Sequence, residues 1–374
     1  MGLEEFIIIF ENAHGVFYSG QNVSGKLVVR CNAPKNIRGI YIKIKGEASV
    51  HWSETHNKKT RHYISNETYF AIKSVALEEG IEQTLTPGEH IFPFSYDLPD
   101  DLPSSFEGDF GRIRYTVRAV IDRPWKFDHE TIAAFTVISP LDLNQVSRAT
   151  EPIRQRGSKT FCCLCCTSGN LEVVISLPTR VAVPGDTLWP TLEVENNSRV
   201  SITSISVKLR KRVVFKAGGR EKIQMKTIAK KFLEPVALGE CRTFEQEALK
   251  IPSIPPSNLK HCLIIDLDYF LEAKFKTSCF ARNFVASVPI VVGTIPLQQN
   301  FTQYAQIPQN PAITGWNAIP SAPAFEETPT YPNLPPPTYE ESVFGTGNVA
   351  EAGDNQYIGG HKNFAPMYPV YRAF

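Results

Sequence analysis

The run Pro336-Pro337-Thr338-Tyr339 carries the clearest recognition chemistry in the chain. Its prolines fix φ and predispose the segment to polyproline II, so little chain entropy is left to lose on docking. Such a PPxY peptide suits a WW domain, with Pro336 and Pro337 on the aromatic groove and Tyr339 in the adjoining pocket. Glu340 and Glu341 follow directly and would meet basic residues at the rim. A degenerate copy, Thr328-Pro329-Thr330-Tyr331, lacks the first proline, which forfeits the affinity that two linked contacts supply. A phosphate on Tyr339 would block docking, because a dianion does not enter an aromatic pocket cheaply. Upstream, Pro320-Ser321-Ala322-Pro323 matches the PSAP pattern bound by ESCRT-I, with small Ser321 and Ala322 allowing close approach. A chance match in a Pro/Ala-rich stretch is the competing reading.

A third candidate is Phe161-Cys162-Cys163-Leu164-Cys165-Cys166, where four cysteines form two overlapping CxxC pairs. Four thiolates suffice for zinc. Lipidation is the rival, since Arg154, Arg156 and Lys159 beside the cluster suit an anionic membrane surface. A connector with free thiols is the plain reading, and all three stay open. Lys208, Arg210 and Arg212 share one face of a predicted strand. They are candidates for contact with an acidic partner such as a phosphoinositide, against the alternative of an ordinary wet face. Asp266 and Asp268 also share a face, but no base or metal ligand accompanies them. His51 and His56 fit a wet strand end and a loop. There is no GxSxG, no HExxH and no phosphate-cradling loop. The chain therefore reads as a non-enzyme with no cofactor.

The elements that must carry these peptides are mostly strands. Ile40, Ile42, Ile44, Gly46, Ala48 and Val50 alternate with polar neighbours, as a strand with one buried face requires. Ile113, Tyr115, Val117, Ala119 and Ile121 repeat the pattern, as do Leu263, Ile265, Leu267, Tyr269, Leu271, Ala273 and Phe275. Weaker strands fit 23–30, 66–73, 130–138, 171–177, 187–195, 201–215 and 284–292. Turns such as Thr86-Pro87-Gly88 and Val183-Pro184-Gly185-Asp186 separate them. Many strands without βαβ alternation predict antiparallel sandwiches. The 374 residues allow two domains of ordinary size, and a net charge of +1 argues against nucleic acid as the partner. The apolar stretch Phe6 to Phe10 is too short for a secretory signal, which places the chain in the cytoplasm with its 8 Cys as thiols. Eleven of the 28 prolines fall in 297–374, where the net charge is −4. That composition predicts a disordered acidic tail.

Several stretches make the chain resemble the α-arrestin (arrestin-domain-containing) family. In the first half these are Phe92-Pro93-Phe94-Ser95-Tyr96-Asp97-Leu98-Pro99, Leu102-Pro103-Ser104-Ser105-Phe106-Glu107-Gly108, Ile113-Arg114-Tyr115 and Asp122-Arg123-Pro124-Trp125. In the second half they are Pro184-Gly185, Glu195-Asn196-Asn197-Ser198, Ile254-Pro255-Pro256-Ser257 and the run from Val288 to Leu297. The resemblance implies an all-β protein with two arrestin-type antiparallel β-sandwich domains followed by a disordered Pro-rich tail. The expected boundaries are 1–143, a basic Cys-containing linker at 144–168, 169–297, and a tail at 298–374. It implies an adaptor that recruits Nedd4-class HECT ubiquitin ligases through their WW domains to membrane receptor or transporter cargo. Ubiquitination, endocytosis and endosomal transport would follow, with the protein peripheral at plasma membrane and endosomes. The alternatives are an ESCRT-coupled scaffold for vesicle budding through PSAP, and a thioredoxin-linked metabolic regulator through Cys241. Cys241 lies where one branch of the family carries a cysteine; a buried or idle thiol is the plainer reading. Phosphate-sensing arrestins also use a buried polar core completed by a tail arginine, and Arg372 is isolated near the end.

Overall fold

The computed structural model describes residues 2–78, 80–163, 166–277, 283–301, 336–349, 358–360 and 363–372. Among them there is no α-helix, and strands dominate. The first sandwich packs a sheet ordered Leu3–Phe10, Asn22–Cys31, Gly88–Asp97 on a second ordered Val16–Tyr18, His129–Ile138, Gly111–Asp122, Gly39–His56, Lys59–Leu77. The second packs Ile153–Cys163, Cys166–Leu177, Thr191–Asn196 and Cys241–Phe244 on Val181–Ala182, Phe284–Val292, Ile265–Thr277, Ile202–Ala217 and Arg220–Leu233.

The period of two explains these strands. Ile40, Ile42, Ile44, Ala48, Val50 and Trp52 all face the core, as do Ile113, Tyr115, Val117, Ala119 and Ile121. Gly46 interrupts the apolar series because a Cβ there would come within 2.7 Å of the Phe70 and Tyr115 rings, which stack over it. Ile265 to Phe275 also follow the expected alternation, but Leu263 does not belong to it. It lies before the strand and is largely exposed, as the strand begins at Ile265.

The two sandwiches repeat one tether. Tyr115 donates its hydroxyl to the Pro103 carbonyl (2.6 Å), and Tyr269 donates to that of Pro255 (2.7 Å). The Val137 and Val292 amides donate to the Ser105 and Ser257 hydroxyls, each at 2.9 Å. So Leu102-Pro103-Ser104-Ser105 and Ile254-Pro255-Pro256-Ser257 are the same device used twice. Each strap anchors a buried tyrosine whose hydroxyl needs a partner.

Phe106 and Phe110 of the first sandwich touch Phe215 of the second, with ring centroids 6.4 and 5.8 Å apart. This joins both cores into one apolar cluster. Asp109 adds polar contacts to Gln224 and Lys226 across the same junction.

Two stretches differ from the sequence expectation. Residues 153–163, expected within a linker, form an edge strand, paired from Ile153↔Leu177 onward. Its charges do not prevent this, because Arg154 and Arg156 lie on the wet face against Glu193 and Glu172. Within the tail, residues 336–349, 358–360 and 363–372 are ordered on the body. The reason is a short apolar run, Met367 to Tyr371, that the average composition of the tail conceals.

Candidate functional site

The PPxY tyrosine sits against the body. Thr338–Glu341 pairs antiparallel with Met367–Val370, in the register Tyr339↔Pro369 and Glu340↔Tyr368. This hairpin lays the Tyr339 ring on Val16, Tyr18 and Ile138, with Met367 beside it. The Tyr339 and Tyr18 hydroxyls share a 3.0 Å hydrogen bond, and the His14 ring tilts over Tyr339 at 6.1 Å. Burial, followed by neighbouring Tyr339 and Tyr371, pushes the Tyr18 phenol well above its usual range. Burial also raises that of Tyr339. Both hydroxyls are therefore neutral at physiological pH and available as donors. Pro336 remains exposed.

The second sandwich grips the same hairpin. Ser253 donates its hydroxyl to the Glu340 carbonyl at 2.8 Å, and Val343 donates its amide to the Ser253 carbonyl. Tyr368 is buried and donates to the Ser105 carbonyl (2.8 Å), in the strap of the first sandwich. Tyr371 donates to the Thr294 carbonyl (3.0 Å) and packs among Leu143, Val181, Val183 and Leu297. Its amide donates to the Pro184 carbonyl at 2.9 Å. Gly185, at φ +99°, is needed here because a Cβ would stand 1.8 Å from the Tyr371 carbonyl oxygen. The tail thus bridges both sandwiches.

A third contact covers a buried charge. Arg114 and Glu107 form an ion pair at 2.7 Å with both side chains almost inaccessible. Arg114 spends a further donor on the Asn348 carbonyl of the tail, also at 2.7 Å. Burial raises the Glu107 carboxyl, and Arg114 opposes that shift. Beside this pair, the Lys211 amine lies between the Phe106 and Phe344 rings, at 5.5 and 5.7 Å from their centroids. Burial, chiefly, holds it down to about 8. Arg372 lies apart from this buried pair and makes an exposed ion pair with Glu340 instead.

The other sequence candidates fall elsewhere. Pro320, Ser321, Ala322 and Pro323 lie outside the described residues. Cys162, Cys163 and Cys166 are at the end of a hairpin, with backbone register Cys163↔Cys166, and Cys165 lies outside the described residues. Lys208, Arg210 and Arg212 do share a face, but carboxylates of the neighbouring strand meet them. Lys208 and Arg210 reach Glu272, and Arg212 reaches Asp268. Their charge is largely compensated within the sheet. Cys241 is exposed at a strand start rather than buried. His51 stacks on His62 in an exposed strand pair. No group of three or more metal-ligating side chains occurs among the described residues. Among those residues, too, no helix is long and apolar enough to cross a membrane. The seat residues Tyr18, Ser253, Tyr368 and Tyr371 were not marked by sequence reasoning. The only local signal was the aromatic run near the end of a polar tail.

Two sandwiches with a repeated proline strap and a bridging tail define an arrestin-type protein. The family model described as "Arrestin (or S-antigen), N-terminal domain" matches residues 6–144, and that for the C-terminal domain matches 167–297. The chain is 28% identical to arrestin domain-containing protein 17 of Caenorhabditis elegans over 99% of both chains. It is 30% identical to arrestin domain-containing protein 1 of Rattus norvegicus, over 86% of this chain and 71% of the relative. With the human protein of that name it shares 28% identity over 91% and 76%. The chain belongs to the arrestin-domain-containing, or α-arrestin, family.

Proposed function

We propose that this chain is a non-enzymatic adaptor whose ligase-docking tyrosine is held on its own body until the tail is released. The sandwiches hold the cytosolic region of a membrane cargo. Pro336, Pro337 and Tyr339 bring a HECT-type ubiquitin ligase through its WW domains. Cargo ubiquitination, endocytosis and endosomal sorting follow. The mechanism is proximity: the ligase's chemistry is unchanged, and the effective concentration of its substrate rises.

The observation that carries the reading is a complete PPxY peptide in the tail behind two arrestin domains. The docked geometry adds a gate. A WW pocket must enclose the Tyr339 ring, and Tyr18 and Val16 already cover it. Ligase binding therefore competes with the seat, and the apparent affinity falls by the fraction of molecules with the tail open.

The test is capture of the full chain on immobilised ligase WW domains, beside a 325–345 peptide and a Tyr339→Ala chain. The peptide should bind at least tenfold more tightly than the full chain. Tyr339→Ala should abolish capture, and cargo ubiquitination with it. Equal capture of wild type and Tyr339→Ala would remove the ligase link.

A further inference from the structure

The arm formed by Gly39–His56 and Lys59–Leu77 carries two imidazoles that meet on its outer face. In its register His51 stands opposite Ile64 and His62 opposite Ser53, so the two rings are diagonal neighbours within reach of each other. Nε2 of His51 lies 3.4 Å from Nδ1 of His62, and the rings stack at 25° with centroids 5.7 Å apart. The opposite face fixes this meeting. Trp52 is buried there and stacks on Tyr63, with centroids 5.0 Å apart and planes at 15°. The His51 amide is held as well, donating to the Phe110 carbonyl at 2.8 Å. Both imidazoles nevertheless stand exposed.

The separation suits a metal better than a proton. A hydrogen bond from a ring N–H is at its best at about 2.7–3.2 Å, so little is lost when one of 3.4 Å is given up. A tetrahedral zinc with nitrogens at about 2.0–2.1 Å sets them about 3.3–3.4 Å apart. The two ring nitrogens already stand at that edge length. Alternation leaves Ser49, Ser53, Thr55, Thr60, Ile64 and Asn66 around the pair on this face, and no carboxylate. Arg112, on the next strand, stands opposite Ser49 rather than His51. The nearby acid Glu54 faces the other way, where Trp52 Nε1 meets it at 3.2 Å and Lys222 at 3.7 Å.

We infer that His51 and His62 form a two-ligand site for a borderline divalent cation of the zinc or copper class. Nε2 of His51 and Nδ1 of His62 bind the metal, the proton between them passes to water, and each ring keeps a proton on its other nitrogen. Water fills the remaining positions. With two imidazoles and no carboxylate, the site discriminates against magnesium and calcium, which take oxygen ligands. A cation held there staples the two strands below the turn at Asn57 and Lys58, both at positive φ. It leaves the Glu54–Lys222 contact with the second sandwich untouched, because that contact lies on the opposite face. The site uses no residue of the ligase-docking tail.

The experiment is histidine footprinting of the full chain with diethyl pyrocarbonate, resolved residue by residue by mass spectrometry, with added zinc or magnesium ions. Zinc should protect His51 and His62 together, with one midpoint, while exposed His56 continues to react. Magnesium should protect neither. His51→Gln should raise the zinc midpoint for His62 at least about tenfold, and His62→Gln should do the same for His51, since even a residue that only supports a metal ligand is worth about 10–100-fold. Reading each histidine separately keeps zinc held by the cysteines from being mistaken for this site. Both side chains are exposed, so the variants should keep the wild-type melting temperature. WW capture through Tyr339 should be unchanged in both, which separates the site from the ligase reading. The inference is overturned if zinc leaves both imidazoles reactive, or protects each independently of the other. Protection of His56 at the same midpoint, or equal protection by magnesium, would also overturn it.

Discussion

In the proposed gate, Tyr18 is the residue on which access to the PPxY peptide turns. Its hydroxyl lies 3.0 Å from that of Tyr339, across 321 residues of sequence. A Tyr18→Phe change keeps the ring packed on Ile138 but leaves the Tyr339 hydroxyl without that partner. A lost hydrogen bond of this kind weakens docking by about 0.5–1.5 kcal/mol. If docking and WW binding compete, the apparent WW affinity of the full chain should rise about two- to tenfold, with that of the isolated peptide unchanged. Titration calorimetry against one WW domain measures this, and an unchanged or weaker affinity would argue against the gate. His129 gives a separate handle. Burial, then Lys35 and Arg123, hold its imidazole down from 6.5 to about 4. Between those two pH values the unfolded chain binds a proton that the folded chain refuses, so stability falls as pH falls through the window. His129→Gln should flatten that part of the melting-temperature profile, and an identical acid slope would show that other groups set it.

At the level of elements, the sandwiches were legible because local alternation and tertiary packing agree. Ile40 to Val50 and Ile265 to Phe275 carry their core faces in their own spacing. The two strap segments, Leu102 to Ser105 and Ile254 to Ser257, were marked only as stretches that resemble the family, and their equivalence and hydrogen bonds to Tyr115 and Tyr269 emerge from the fold. The Ile153–Cys163 strand was hidden by its basic residues, of which Arg154 and Arg156 occupy its wet face as an edge strand tolerates. The tail seat was hidden for a different reason. Tyr368 and Tyr371 gain their value only from Ser105, Thr294 and Pro184, all remote in sequence. Composition over the whole tail averages this short run away. The hairpin should behave as one unit, since its two strands hold each other in register. Tyr371→Ala removes a buried ring from Leu143, Val181, Val183 and Leu297, on the scale of about 3 kcal/mol for a large aromatic lost from a packed site. That loss exceeds the Tyr18 hydroxyl contribution, so Tyr371→Ala should open the tail further and bring WW affinity close to that of the free peptide. It also lies outside the PPxY peptide, so a gain in binding cannot come from a better ligand. Tighter binding by Tyr18→Phe than by Tyr371→Ala would contradict a hinge that moves as a whole.

For the whole molecule, the tail is a strap between two bodies as well as the proposed ligase ligand. It touches Ser105, Thr136 and Tyr18 in the first sandwich and Ser253, Pro184 and Thr294 in the second. These contacts add to the direct junction, which includes Phe106 and Phe110 on Phe215, Asp109 on Lys226, Glu54 on Lys222 and the Glu67 carboxylate on the Leu263 amide. Phe344 of the tail completes it by covering the Lys211 amine opposite Phe106. Release of the tail should therefore free the ligase peptide and loosen the angle between the sandwiches in one event. A chain ending at 335 should keep both cores, because every fully buried member of the shared cluster comes from the sandwiches and the tail adds only Phe344 at its margin. Its melting temperature should nevertheless fall by a few degrees, since each kcal/mol lost shifts a domain of this size by about 2–4 °C. Amide exchange should rise at 136–138 and 181–185, where the tail now lies, and not in the Gly39–His56 strand. A peptide of residues 336–374 added in trans should restore protection at both places together. If it restored one alone, the tail would be two independent contacts, and ligase binding at Tyr339 could not be transmitted to the second sandwich.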